Sequence, residues 1–123
     1  MKYIIAESYK EKIVFKYLDK KNYNLYKQKL VDHPGVKTSR LYFMYESEEY
    51  ADIVYHYWSG KLFINGELQE EIMNFFGMDD LDAEVVISQW VEDKINKKIE
   101  IINVSVMYKT SFAGELLKPD RWE

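Results

Sequence analysis

Cysteine is absent from this chain of 123 residues. Its absence excludes a disulfide framework, a thiolate nucleophile and any metal or iron–sulfur site ligated by cysteine. The sequence is therefore compatible with a reducing compartment.

Arginine and histidine are scarce, with two residues of each. The chain contains neither GxxxxGK[ST] nor GxGxxG, so nucleotide binding by a familiar phosphate loop is not expected. A histidine base needs a partner within hydrogen-bond reach, and in a strand Asp52 would share a face with His56. A small enzyme using His33 or His56 is the least favoured hypothesis, because the usual groupings of nucleophile and base are missing.

Long apolar runs are also absent. The first twelve residues lack the roughly 7 to 15 residue apolar run of a signal peptide, and no stretch approaches the roughly 20 residues of a membrane span. We therefore expect a cytoplasmic protein with no membrane partner. Lysine outnumbers arginine fifteen to two, a bias typical of a low-GC bacterium or its phages.

What the sequence does contain is charge sorted by position. Residues 1–40 hold ten basic residues against four acidic ones, residues 41–93 hold thirteen acidic residues against Lys61 alone, and residues 94–123 hold six against four. Unless folding interleaves these blocks, the protein has two oppositely charged faces. Such asymmetry favours charged macromolecular partners over a small-molecule pocket.

The length fits one domain, residues 1–123, and the composition is that of a globular protein with an unusually high aromatic content. We predict an α+β fold in which a mostly antiparallel sheet of about five strands packs with two or three helices. Residues 109–123 are a candidate C-terminal tail that docks on the domain through Trp122.

The first third is ambiguous. Alternation predicts strands over residues 2–6 and 12–18, although a helix over 7–18 also fits. A helix is predicted over 23–32, where two tyrosines and a leucine fall on one stripe. The His-Pro-Gly sequence at 33–35 would end it.

The middle of the chain predicts a meander. Residues 40–46 and 50–58 are rich in aromatic and β-branched side chains, and the polar residues 47–49 between them suit a turn. A third strand is predicted over 61–64.

Two helices are then predicted. The first covers residues 67–76 and ends at Gly77. Asn65 is either a residue of the preceding hairpin turn or the N-cap of this helix. The second covers 79–97 and begins at a capping aspartate, Asp79 or Asp80.

A strand predicted over residues 99–108 is apolar on both faces, which indicates an interior position in the sheet. The preceding acidic run from Asp79 to Glu84 has ligands suited to Mg²⁺ or Ca²⁺ but lacks EF-hand spacing. Helix capping explains its first acids, so neither a metal nor a cofactor is expected.

The favoured hypothesis for function is a non-catalytic binding or regulatory protein with an acidic, tyrosine-rich face. Carboxylates would steer a basic partner and tyrosines would anchor it. That partner would be a protein that handles nucleic acid, and the chain would imitate nucleic acid, as inhibitors of host defence from phages or mobile elements do. An ordinary solvated acidic surface is the other interpretation. The face would comprise Tyr45, Glu46, Glu48, Glu49, Tyr50, Asp52, Glu67, Glu70 and Glu71.

The alternative hypothesis is direct binding of nucleic acid. Lysines alternate with tyrosines in the first third, and single-strand binders use ammonium groups along the backbone and aromatic rings for stacking. A lysine-rich solvated surface over partly buried tyrosines would give the same pattern. The candidate residues are Lys16, Lys20, Lys21, Tyr23, Tyr26, Lys27 and Lys29.

Overall fold

A computed structural model describes the backbone of residues 4–30, 38–44, 50–57, 59–105, 108–109 and 116–117, and the side chains of residues 10–27, 40–44, 51–57 and 59–104. The helices are α1 (Ile4–Lys20), α2 (Gly66–Phe76) and α3 (Asp80–Ile95). The strands are β1 (Asn24–Leu30), β2 (Thr38–Met44), β3 (Tyr50–Ala51), β4 (Ile53–His56), β5 (Lys61–Asn65), β6 (Ile101–Ser105), β7 (Tyr108–Lys109) and β8 (Leu116–Leu117).

The main sheet has the strand order β6-β5-β4-β2-β1-β8, in which β8 contributes two residues. All neighbours are antiparallel except β5 and β6, which are parallel. A parallel pair needs a crossover connection, and α2 and α3 provide it. The short strands β3 and β7 pair separately. This mixed sheet with three helices confirms the predicted α+β class.

The three helices pack on one side of the sheet. Alternate sheet residues, among them Leu41, Phe43, Ile53, Leu62 and Ile64, form a core with apolar side chains from all three helices. On the far side of the sheet a second cluster contains Tyr26, Tyr42, Met44, Ala51 and Val54. The central strands are thus apolar on both faces.

The two helices of the crossover have the ends that the sequence predicts. Asn65 caps α2, since its side chain accepts a hydrogen bond from the amide of Glu67 at 3.1 Å. Asp79 caps α3 by accepting from the amide of Asp82 at 2.8 Å. Gly77 ends α2 with a φ of 63°, a conformation that favours glycine. The capping alternative for Asn65 is therefore the correct one.

The first third differs from its prediction. Residues 4–20 form one helix, so the strands predicted over 2–6 and 12–18 are wrong and the alternative helix is right. Val14 and Leu18 are both fully buried, while Lys16 between them is exposed. A strand would place all three on one face, whereas a helix places only Val14 and Leu18 together.

The helix predicted over 23–32 is also wrong. Residues Asn24–Leu30 form β1, which pairs with β2 along its whole length. Tyr26 lies in the far-side cluster while Leu25 packs in the core beneath the helices. The spacing of Tyr23 and Tyr26 fits one stripe of a helix, but Tyr23 lies just before β1 and Tyr26 lies within it.

The strand predicted over 50–58 is divided at Asp52 into β3 and β4. The strand predicted over 99–108 is present as β6 over Ile101–Ser105, but β6 is the last of the described strands at one end of the main sheet, so its predicted interior position is wrong. The turn at 47–49, the His-Pro-Gly sequence, Trp58 and Trp122 lie outside the described residues. No helix in the described part of the chain is both long and apolar enough to cross a membrane.

Gly60 holds the start of β6 against the turn that precedes β5. Its carbonyl oxygen accepts from the Glu100 amide at 2.8 Å, and its φ is +66°. A Cβ atom there would lie 2.7 Å from Cγ of Glu100, whereas Gly77 has a similar φ and open space around it.

We therefore expect Gly60→Ala to lower the free energy of unfolding by about 2 kcal/mol, the sum of left-handed strain and the clash. Gly77→Ala, the matched control, should lower it by about 1 kcal/mol because it has the strain alone. Urea unfolding of both variants tests this, and equal losses would contradict the steric argument.

Candidate functional site

The fold joins the basic first third to the acidic middle of the chain at Glu71 on α2. Lys21 Nζ lies 2.7 Å from Glu71 Oε2, and the Tyr17 hydroxyl donates to the same oxygen. Partial burial acts to raise the pKa of Glu71, but the hydrogen bonds from Lys21 and Tyr17 outweigh it and the net pKa is lowered. The basic residues 1–40 and the acidic residues 41–93 therefore meet at this point and do not form two fully separate faces.

Asp52 makes a second link. Its Oδ2 accepts from the Tyr23 hydroxyl at 2.6 Å and its Oδ1 from the Asn65 amide group at 3.4 Å. The Tyr23 ring lies edge-on to Phe43 and Trp90 on the helix side of the sheet. The carboxylate is thus an internal acceptor and belongs to no acidic outer face.

The third link joins the ends of α1 and α3. Asp19 Oδ1 accepts from Trp90 Nε1 at 3.0 Å and lies 2.7 Å from Lys94 Nζ. The hydrogen bond from Lys94 is the main reason that the pKa of Asp19 is lowered, burial opposes it and the Trp90 bond adds to it. This group borders a cavity of about 200 Å³.

Four residues of the predicted acidic face have described side chains, and three of them, Glu67, Glu70 and Glu71, lie together on α2. Asp52 and Glu71 are engaged internally, while Glu67 and Glu70 are exposed on α2. The side chains of Tyr45, Glu46, Glu48, Glu49 and Tyr50 lie outside the described residues.

The described members of the lysine and tyrosine set lie on both sides of the sheet. Lys16 and Lys20 are exposed on α1, but Lys21 pairs with Glu71. Tyr26 is buried on the far side of the sheet. Tyr23 packs against Phe43 and Trp90, as described above. Lys27 Nζ lies 5.0 Å from the centroid of the Tyr57 ring. Only the backbone of Lys29 is described.

His56 lies on the far side of the sheet, 8 % exposed, with its ring 4.6 Å from that of Phe63. Burial, together with the positive charges of Arg40 and Lys61, lowers its pKa to about 4. The bend at Asp52 turns that carboxylate toward Tyr23, so the shared face expected from strand alternation is wrong. His33 lies outside the described residues.

A different acidic surface does form on the crossover. We call α2 and the first two turns of α3 the helical-hairpin surface. Its exposed carboxylates have no cationic partner within the described ranges. They are Glu67, Glu70, Asp79, Asp80 and Asp82.

Large apolar side chains accompany these acids. Phe75 and Leu81 are each 67 % exposed and Val85 is 47 % exposed. Leu81 and Val85 are four residues apart and share a helix face. Sequence reasoning proposed none of these three as site residues, although Leu81 and Val85 lie outside the stripe of α3 that is buried, which contains Ala83, Val86, Ile87, Trp90 and Val91.

Val85 also borders a groove between α1 and α3. The cavity there measures about 310 Å³ and is lined by Met78, Val85 and Val86 together with Lys10, Glu11 and Asp82. Among the side chains that the structure describes, no three carboxylates or histidines are placed to hold a metal ion.

Comparison with known proteins adds no assignment. No protein family model, curated protein or solved structure matches the chain.

Proposed function

We propose that this is a non-catalytic binding protein whose helical-hairpin surface binds a basic protein that handles nucleic acid. The observation that supports the proposal is a combination on one capped helical hairpin. Exposed carboxylates that pair with no cation of the described residues lie beside exposed large apolar side chains. Acids alone would give a solvated surface, and apolar side chains alone would give no preference for charge.

Each component has a separate role in binding. Phe75 and Leu81 are large enough to act as buried anchors, which supply most of the affinity in protein interfaces. The surrounding carboxylates accelerate encounter with a positive surface and disfavour acidic competitors. Capping at Asn65, Gly77 and Asp79 holds the hairpin in place, which reduces the entropy lost on binding.

The expected partner follows from this charge. A surface that presents several exposed carboxylates competes with phosphates for a basic groove. The proposal therefore includes inhibition of a nucleic-acid-binding protein in the cytoplasm, with a phage or mobile element as the origin. Direct binding of nucleic acid is less well supported, because Tyr23 and Tyr26 are packed inside the fold.

The test uses a partner captured from host lysate, identified by mass spectrometry and then purified. Glu67→Lys with Glu70→Lys should lower its association rate about tenfold at low salt, because steering is lost. Leu81→Ala should raise the dissociation rate with little change in association. Stopped-flow or surface-plasmon measurements separate the two rates.

Asp93→Lys with Glu100→Lys is the matched control, since it reverses two exposed acids outside the hairpin surface. The control should bind as the wild type does. Unchanged kinetics in the hairpin variants would refute the proposed surface. Retardation of single-stranded oligonucleotides that is lost on Lys16→Glu with Lys20→Glu would instead support direct nucleic-acid binding.

A further inference from the structure

Strand β6 is the outermost described strand at one end of the main sheet. It follows β5 at the end of the strand order and has no neighbour on its outer side among the described strands. Ile101 is 50 % exposed and Val104 is 36 % exposed, and the sequence from Ile101 to Ser105 contains no charge and no proline. Natural edge strands are usually blocked by lysine, proline or a bulge.

The parallel register defines which backbone groups point outward. The Ile101 amide donates toward Gly60 O at 3.4 Å, so Ile101 faces β5. Backbone groups alternate in direction along a strand. The amides and carbonyls of Ile102 and Val104 therefore point away from β5 and are available for another strand.

We infer that two copies of this chain pair through β6, antiparallel, about a two-fold axis at Asn103. Ile102 of each copy then lies opposite Val104 of the other in a hydrogen-bonded pair, which makes four backbone hydrogen bonds. Asn103 lies opposite its own copy in the closer, non-hydrogen-bonded pair. Ile101 lies opposite Ser105.

In this register β6 is complementary to the β6 strand of a second copy. The strand meets itself without like charges in opposition, which would destabilise a cross-strand pair. The two apolar residues Ile102 and Val104 extend the helix-side layer across the axis, because both alternate with Asn103. An isologous contact of this kind closes on itself and leaves no further β6 edge exposed.

Charge placed at the axis provides the first test. Asn103 is exposed, so substitutions there leave the core intact. Asn103→Lys and Asn103→Glu should each weaken dimerisation at least tenfold by placing like charges opposite one another, and an equimolar mixture should restore a heterodimer. Asn103→Thr, the uncharged control, should dimerise as the wild type does. Sedimentation velocity over a range of concentrations measures all four.

A covalent test is possible because the native chain has no cysteine. Asn103→Cys should form a single interchain disulfide when oxidised glutathione is added, which accepts the two electrons, because this type of pair suits disulfide geometry. Asp93→Cys, which lies outside β6, should form an interchain disulfide more slowly than Asn103→Cys. A wild-type chain that is monomeric at about 1 mM would overturn the inference. Dimers that persist in both charged variants, or charged variants that do not associate with each other, would also overturn it.

Discussion

Replacing Trp90 with alanine is expected to lower the free energy of unfolding by about 3 to 5 kcal/mol. The side chain is 4 % exposed and its ring lies 5.6 Å from Phe43 and 6.2 Å from Tyr23. Its indole nitrogen donates to Asp19, and Lys94 Nζ lies 5.6 Å from its ring. The substitution removes the packing and one of the two polar links between α1 and α3, and it leaves the Lys94–Asp19 pair. Urea unfolding followed by circular dichroism measures the loss.

Two variants separate these contributions. Trp90→Phe retains much of the apolar contact but removes the donor to Asp19, so it should cost clearly less than the alanine variant. Leu81→Ala on the same helix removes an exposed side chain and should change stability by no more than about 0.5 kcal/mol. A loss below about 1 kcal/mol for Trp90→Ala would show that the proposed junction does not stabilise the fold.

Lowering the pH from about 6.5 to about 4 is expected to destabilise the protein by about 3 kcal/mol through His56 alone. The pKa of this histidine is lowered to about 4 from 6.5, first by burial and then by Arg40 and Lys61. Between the two values the unfolded chain binds a proton that the folded chain does not. The contribution of neutral His56 to the free energy of unfolding is therefore complete above the pKa of the unfolded state. That contribution is lost as the pH falls toward the pKa of the folded state.

Urea unfolding at a series of pH values tests this dependence. His56→Gln should flatten the curve between pH 4 and 6.5, whatever its cost at neutral pH. Lys61→Met removes one of the neighbouring charges and should give a shallower curve than the wild type. Asp19 and Glu71, whose pKa values are lowered, add a further loss at more acidic pH. An unchanged curve for His56→Gln would contradict the assignment.

Local signals predicted the crossover well. Asn65, Gly77 and Asp79 each act within one turn of chain, so their effect on a helix end can be inferred without knowledge of the rest of the fold. The strand at β5 was equally predictable, because the buried residues Leu62 and Ile64 alternate with the half-buried residues Lys61 and Phe63. The α+β class follows from these elements.

Long-range pairing decided the elements that were predicted wrongly. The apolar pattern around Tyr26 fits either a helix or a strand. Pairing with β2 makes this segment a strand. The apolar residues of β6 predicted an interior strand, yet burial depends on which strand lies beyond it, and β6 is the last of the described strands at one end of the main sheet.

The charge blocks could be counted from the sequence but not paired. Glu71 meets Lys21 and Asp52 meets Tyr23 only because the sheet and helices bring them together. The acids of the helical-hairpin surface overlap with the acidic face predicted from composition at Glu67 and Glu70.

The junction at Asp19 has a consequence for synthesis on the ribosome. The hydrogen bond from Trp90 to Asp19 spans 71 residues, and the one from Tyr17 to Glu71 spans 54. α1 is translated before these partners, and an isolated helix of its length is only marginally stable in water. Its contacts with α2 and α3 can therefore form only after those helices have been synthesised.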